Sequence, residues 1–278
     1  MNNKVSIVIP TYNRAHFLSQ CIQSCIDQTV KCEIVVCDHG SSDNTAEVVA
    51  TFGSRVKYIQ REVDHGVHFC WLEGIMNASN DLIHLQYDDD WIESTFIEEC
   101  LALFDENVGM VFSNYKLFDN STRKMSSDHK FLKAKCETRL YSSNFVLSQL
   151  AYTNVSPGCA MLRKKILLKY LFIDEVPFST SHYKGVGPDL LFSLMSLLEY
   201  EKVGYISEQL AIFRVHEHSI TIDAQRNADK QKRIQEAYSS SVNFFAVSYI
   251  LNKLKILWLV RKIATFVVIR INRKLYTN

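Results

Sequence analysis

The first apolar run, VSIVIP at residues 5–10, shows no polar alternation and stops at a proline, the pattern of a strand buried on both faces. Phe17, Leu18, Cys21, Ile22, Cys25 and Ile26 then recur at helical spacing and predict a helix that lays one stripe back on that strand. EIVVC (33–37) reads as a second strand, and 43–52 as a second helix closed by Gly53. The alternation continues through VKYIQ (56–60), a helix across WLEGIMNAS (71–79) and a strand over DLIHLQY (81–87). Ser94 is placed to cap a helix carrying Phe96, Ile97, Cys100 and Leu101, ahead of a strand at VGMVFS (108–113). Strands and helices in strict alternation predict an α/β layer fold with a mainly parallel sheet. Between Asn114 and Arg139 the pattern lapses, which reads as loops over a site. It resumes with a strand at GCAMLR (158–163), a Leu-rich helix over 188–200, and a strand at QLAIFRVH (209–216) that runs into a loop.

With 278 residues and 47% hydrophobic content the chain can bury a large core, divided here into a domain over 1–225 and a basic extension over 226–278. A net charge of +1 supplies no field to gather nucleic acid, so no nucleic-acid partner is expected. The eight cysteines form no C-x-x-C pair and no zinc spacing, which favours reduced, buried thiols and a cytoplasmic location over disulfides. VSIVIP is too short for a signal peptide, and no export signal is expected. After Glu236 the chain has no acidic residue, while Lys253, Lys255, Arg261, Lys262, Arg270, Arg273 and Lys274 interleave with Phe, Leu, Ile, Val and Trp. No charge-free run there reaches the ~20 residues a bilayer span needs. The expectation is one or two amphipathic helices lying on the anionic inner face of the cytoplasmic membrane. A helical hairpin packed on the first domain, or on a second subunit of a homodimer, is the other arrangement such a pattern allows.

Chemistry enters at LQYDDDW, residues 85–91. The strand before it delivers Asp88, Asp89 and Asp90 to its carboxyl end, the edge at which open α/β sheets bind ligands. Adjacent carboxylates repel unless water or a cation neutralises them, and carboxylate oxygens suit Mg²⁺ or Mn²⁺. Taken alone, the same run also suits a solvated turn or a helix N-cap.

Three stretches in order, VSIVIPTYNR, EIVVCDHGSSDNT and GVHFCWLEGIMNASNDLIHLQYDDDWIESTF, resemble the successive signatures of the inverting family 2 glycosyltransferases, whose catalytic domain has the GT-A fold. The likeness spans the chain to about residue 105 and resumes weakly at 158–163 and 187–220. It implies a Rossmann-like, mainly parallel sheet flanked by helices. Pro10, Thr11 and Tyr12 would lie at the nucleotide, Tyr12 against the base, with Arg14 close by. Asp38 matches the residue that accepts from the imide N–H of uracil, a task suited to an acceptor-only group, although an aspartate entering a helix looks the same. His39 stands where the family carries a second acid.

Alignment on Trp91 places Tyr87 at the first acid of the family's D-x-D-D-W. The resemblance then implies Asp88 at the ribose or beside the metal and Asp89 as principal ligand of Mn²⁺ or Mg²⁺. Asp90 would adjoin the metal or cap a helix, and a one-residue shift would exchange these roles. Leu72 replaces a common asparagine. In GVGPDLLFSL, Pro188 replaces a glutamate and Asp189 keeps the aspartate that would act as general base; a plain first-turn acid is the alternative. In FRVHEHSIT, Arg214 would neutralise phosphate and His216 would ligate the metal, with His218 the weaker choice.

The activity implied is metal-dependent, inverting transfer of a sugar from a nucleotide diphosphate donor, UDP favoured, to a hydroxyl of a glycan or lipid-linked oligosaccharide in surface-polysaccharide assembly. A sugar-nucleotide nucleotidyltransferase would need a glycine-rich loop after the first strand, and no glycine lies between Val5 and His39. Gly185 and Gly187 form a lone G-x-G. Tyr87, Leu72 and Pro188 fit a degenerate, non-catalytic binding subunit, whereas joint retention of Asp38, Asp89 and Asp189 argues for an enzyme.

Overall fold

VSIVIP, extended by one residue, is strand β1 (Val5–Thr11), and all seven of its side chains are buried. Helix α1 (Ala15–Ile26) lays Leu18, Cys21, Ile22 and Cys25 against the sheet. The computed structural model describes residues 5–132, 135–149, 155–173, 176–179, 186–217, 219 and 227–253. The next elements are β2 (Glu33–Asp38), α2 (Thr45–Ala50), β3 (Lys57–Gln60), α3 (Val67–Asn77) and β4 (Leu82–Leu85). They continue with β5 (Trp91–Ile92), α4 (Phe96–Ala102), β6 (Val108–Asp119), β7 (Lys124–His129), β8 (Arg139–Ser142) and α5 (Ser143–Gln149). After β9 (Ala160–Arg163) come α6 (Lys164–Tyr170), α7 (Pro188–Glu199), β10 (Lys202–Val215) and α8 (Ala228–Lys253).

One sheet runs in the order β3-β2-β1-β4-β9-β6-β10-β5, with β7 added on β6 and β8 on β10. β1 pairs in parallel with β2 and β4, β2 with β3, and β10 with β6, whereas β9 is antiparallel to both its neighbours. The result is the mixed, mainly parallel α/β sheet expected. Helices cover both faces, so even the polar members of β4 are buried: His84 contacts the Ala160 carbonyl through Nδ1 and Gln86 Oε1 through Nε2, both at 2.9 Å. Gly74 in α3 lets this helix close on β1, because a Cβ there would come within 2.4 Å of Val8 Cγ1. All eight cysteines are free thiols.

The structure revises several local readings. Thr95, not Ser94, is the N-cap of α4, and its side chain makes no capping bond. The segment read as loops holds the end of β6, all of β7 and the start of β8. Alternation fails there because β7 is solvent-exposed over Lys124–Ser127 and the segment opens with a buried polar residue: Asn114 donates to Tyr205 OH at 2.7 Å and to the Ser207 carbonyl at 2.8 Å, and its Oδ1 accepts from Phe131 N–H at 3.2 Å. Residues 228–253 form a single helix that lies on α7. The rest of the basic tail, 254–278, lies outside the described residues, as do His218 and Gly185. Among the described residues no helix is long and apolar enough to cross a membrane.

Candidate functional site

Because β2, β1 and β4 are neighbours and run parallel, their carboxyl ends bring Asp38, the Thr11–Arg14 loop and the acidic turn to one edge. The turn is tight: Asp90 N–H donates to the Tyr87 carbonyl at 3.2 Å, leaving Asp88 and Asp89 at its corners. Cys21 Sγ and Gln86 Nε2 both lie on the Tyr87 carbonyl, at 3.3 and 3.1 Å, and pin the turn from beneath.

The three aspartates face different partners. Asp89 Oδ2 is shared by Arg14 Nη1 in a short ion pair and by His216 Nε2 at 3.0 Å. Arg14 also reaches Asp88 Oδ1 at 3.3 Å. Asp90 turns inward, where its Oδ1 accepts the backbone N–H of Arg214 at 2.7 Å. Burial pushes the Asp88 carboxyl up to about 7, against the pull of Arg14. Burial also acts on Asp89, but the His216 hydrogen bond and the Arg14 charge outweigh it and hold Asp89 below the usual range. Burial first, then the Asp89 charge, drives Asp90 well above it.

Arg214 is engaged by protein groups on every side-chain nitrogen. Its Nε donates to the Asp89 carbonyl at 2.9 Å, Nη1 to Asn120 Oδ1 at 2.9 Å and Nη2 to Gln20 Oε1 at 2.6 Å. Phe17, Trp91 and Phe118 box its guanidinium at 4.7, 4.8 and 5.4 Å from their ring centroids. In this arrangement it is a strut for the acidic turn, and Arg14 is the cation that touches the carboxylates. Gln20, Asn120 and the three rings were missed by sequence reasoning; Gln20, one helical turn after Phe17 in α1, offered the only local hint.

On the other side of β1, Asp38 is 1% exposed and each oxygen has a partner: Ser41 N–H on Oδ1 at 2.8 Å and Tyr58 OH on Oδ2 at 2.7 Å. A carboxylate oxygen accepts up to two hydrogen bonds, so these two contacts do not exhaust the acceptor capacity of Asp38. Tyr12, 41% exposed, stacks on His39 with centroids 4.7 Å apart, and His39 Nδ1 is 2.7 Å from Asp64 Oδ1. The position where the family carries an acid is thus a ring that extends the Tyr12 platform.

Tyr87, Trp71 and Phe192 form a chain of rings, with 6.2 Å between centroids at each step, linking the turn to α7. Asp189 stands in the first turn of α7 and accepts Gly187 N–H on Oδ1 at 2.8 Å. It is close enough that its charge, after burial, helps raise the Tyr87 phenol.

A divalent cation fits part of this set. His216 Nε2 and Asp89 Oδ2 are 3.0 Å apart, the spacing of two adjacent ligands each at roughly 2.1 Å from one octahedral ion. Asp90, committed to the Arg214 backbone, is not in that pair. Among the described residues no three His, Cys, Asp or Glu side chains cluster as a complete site. Two protein ligands with the remainder from water and diphosphate is the pattern Mg²⁺-type ions accept.

The glycosyl transferase family 2 model matches residues 6–171, more than half of the chain, and the chain belongs to that family. It is 26% identical over 227 residues to glycosyltransferase GlyA of Streptococcus pneumoniae, covering 80% of this chain and 32% of GlyA. It is 33% identical over 121 residues to the Escherichia coli UDP-Glc:alpha-D-GlcNAc-diphosphoundecaprenol beta-1,3-glucosyltransferase WfgD, covering 42% of this chain and 48% of WfgD. The matched segments therefore span less than half the length of either relative. Among solved structures, S. aureus TarS 1–349 in complex with UDP-GlcNAc superposes with a TM-score of 0.62 at 17% identity, covering 87% of this chain and 73% of that one. The fold is of the GT-A type seen in TarS.

Proposed function

We propose that the chain is a metal-dependent, inverting glycosyltransferase that moves a sugar from a UDP-sugar to a hydroxyl of a glycan or lipid-linked acceptor in surface-polysaccharide assembly. The observation that carries the reading is the Asp89 carboxylate, held jointly by His216 and Arg14 at the sheet edge beside the Tyr12–His39 platform and Asp38. The names of TarS bound to UDP-GlcNAc and of WfgD support a uridine donor and a diphosphate-linked lipid acceptor.

In this reading Tyr12 and His39 take the face of the base, and Asp38 accepts from its imide N–H. Asp89 and His216 hold the cation, which when bound neutralises charge on the leaving diphosphate. Arg14, displaced from Asp89, is placed to follow the phosphates. Asp189 takes the proton from the acceptor hydroxyl as its oxygen bonds to the anomeric carbon. The bond from that carbon to the phosphate oxygen breaks, and the electron pair leaves with UDP. Attack opposite the leaving group inverts the anomeric centre.

Calorimetric titration with UDP, in EDTA and then in Mn²⁺, tests the reading. Binding is expected to require Mn²⁺ and to tighten from pH 6 to pH 8, by up to about tenfold per unit below the Asp88 midpoint, because loading the turn expels its proton. Folding responds in the opposite sense. The Asp88 pKa is raised above its unfolded value of about 3.9, so its contribution to stability is fully present below that value and is lost as pH rises through about 7. UDP binding equally strong in EDTA would favour a non-catalytic binding subunit in which Arg14 replaces the cation. No binding in either medium would overturn the uridine donor.

Peripheral membrane contact belongs to the same proposal. On α8, Val242, Val247 and Ile250 are 47, 43 and 54% exposed, and the basic tail follows them. The full chain is expected to float with phosphatidylglycerol vesicles and to stay in the soluble fraction with phosphatidylcholine alone; no flotation with either would sink the membrane claim.

A further inference from the structure

The backbone at Gly187–Asp189 is shaped by α8. Gly187 has φ +106°, a left-handed conformation that favours glycine, and a Cβ there would lie 3.4 Å from the Ala237 carbonyl oxygen and 3.5 Å from Ser241 Oγ. Ser241, fully buried, donates its hydroxyl to the Gly187 carbonyl at 2.8 Å. The Gly187 N–H in turn donates to Asp189 Oδ1 at 2.8 Å, and Tyr238 OH donates to Asp189 Oδ2 at 3.4 Å. Pro188, between the two, fixes φ and removes the remaining slack. An aspartate that merely caps its own helix needs only the Gly187 contact. Here the second oxygen is also held, from a helix 49 residues further along the chain.

We propose that α8 is a positioning element for glycosyl transfer, in which Ser241 and Tyr238 hold the Asp189 carboxylate in the orientation that receives the acceptor proton. Ser241 acts through the Gly187 backbone and Tyr238 acts directly on the second carboxylate oxygen, Oδ2. This rests on Asp189 being the base of the proposed reaction. A general base must be aimed to within a fraction of an ångström, and a first-turn aspartate on its own helix has one tether where two are needed for direction. The arrangement makes the C-terminal helix part of the catalytic apparatus, and so makes turnover sensitive to whatever engages the outer face of α8.

Two arms test it on the full chain. In the first, UDP release is followed with UDP-glucose, UDP-galactose, UDP-GlcNAc and UDP-GalNAc, and the fastest donor is kept. Tyr238→Phe is expected to lower kcat about five-fold and Ser241→Ala about tenfold, with the donor KM unchanged. In the Asp189→Asn background Tyr238→Phe should have no further effect, since its route to the reaction is gone. Equal losses in both backgrounds would overturn the proposal while leaving the function standing. Full activity of Asp189→Asn alone would remove the base and the proposal together. The second arm needs no donor: amide exchange at Gly187 should quicken in Ser241→Ala and in Asp189→Ala, with Tm held close to that of the wild type. Unchanged exchange at Gly187 in Ser241→Ala would overturn the proposal even if no sugar nucleotide is turned over.

Discussion

Asp89→Ala is expected to abolish Mn²⁺-dependent UDP binding and to lower turnover by at least about 10³-fold, with Tm changed by only a few degrees. The large functional loss follows from its Oδ2 meeting both His216 and Arg14. The small structural loss follows because Arg14 keeps Asp88 as an ion-pair partner, while removing one of three crowded carboxylates relieves repulsion. Asp90→Ala gives the contrasting result. Its Oδ1 serves the Arg214 backbone, so that substitution should cost stability more than metal affinity. Equal Mn²⁺ affinities of the Asp89→Ala protein and the wild type, read by electron paramagnetic resonance of the free ion, would remove the cation from this turn.

Asp189→Asn is expected to lower kcat by about 10² to 10⁴-fold and to leave UDP affinity within about twofold. The asparagine oxygen can still accept the Gly187 N–H, so the loop keeps its shape and only proton acceptance is lost. Single-turnover measurement with a chosen acceptor separates this from a binding defect. A kcat within a factor of two of wild type would assign Asp189 to helix capping alone and move the search for a base elsewhere in the cleft.

Much of the site was legible because its members sit where strands end. Asp38 and Asp88–Asp90 each follow an apolar run, and a parallel strand announces its carboxyl end by the polar residue that breaks the run. The motif order gave the family and the sheet class together. The surroundings of Arg214 were not legible, for an equally physical reason. A lone arginine after a strand looks free, and nothing nearby in the chain shows that Gln20, Asn120 and three rings will consume its donors and cover its faces. The strands beyond Asn114 were lost because the exposed, polar β7 is held by its pairing with β6 and not by an apolar stripe of its own.

By itself the sequence determined the βα alternation, the burial of β1, β2 and β4 and the acidic turn at the ligand edge, because each is written in contiguous patterns that local sterics and burial enforce. Tertiary structure alone decided which carboxylate meets Arg14 and His216 and which faces inward, through contacts such as Arg214 N–H to Asp90, 124 residues apart. It also decided that α8 reaches the candidate base. Such contacts depend on how the finished layers pack, and no short-range periodicity records that outcome.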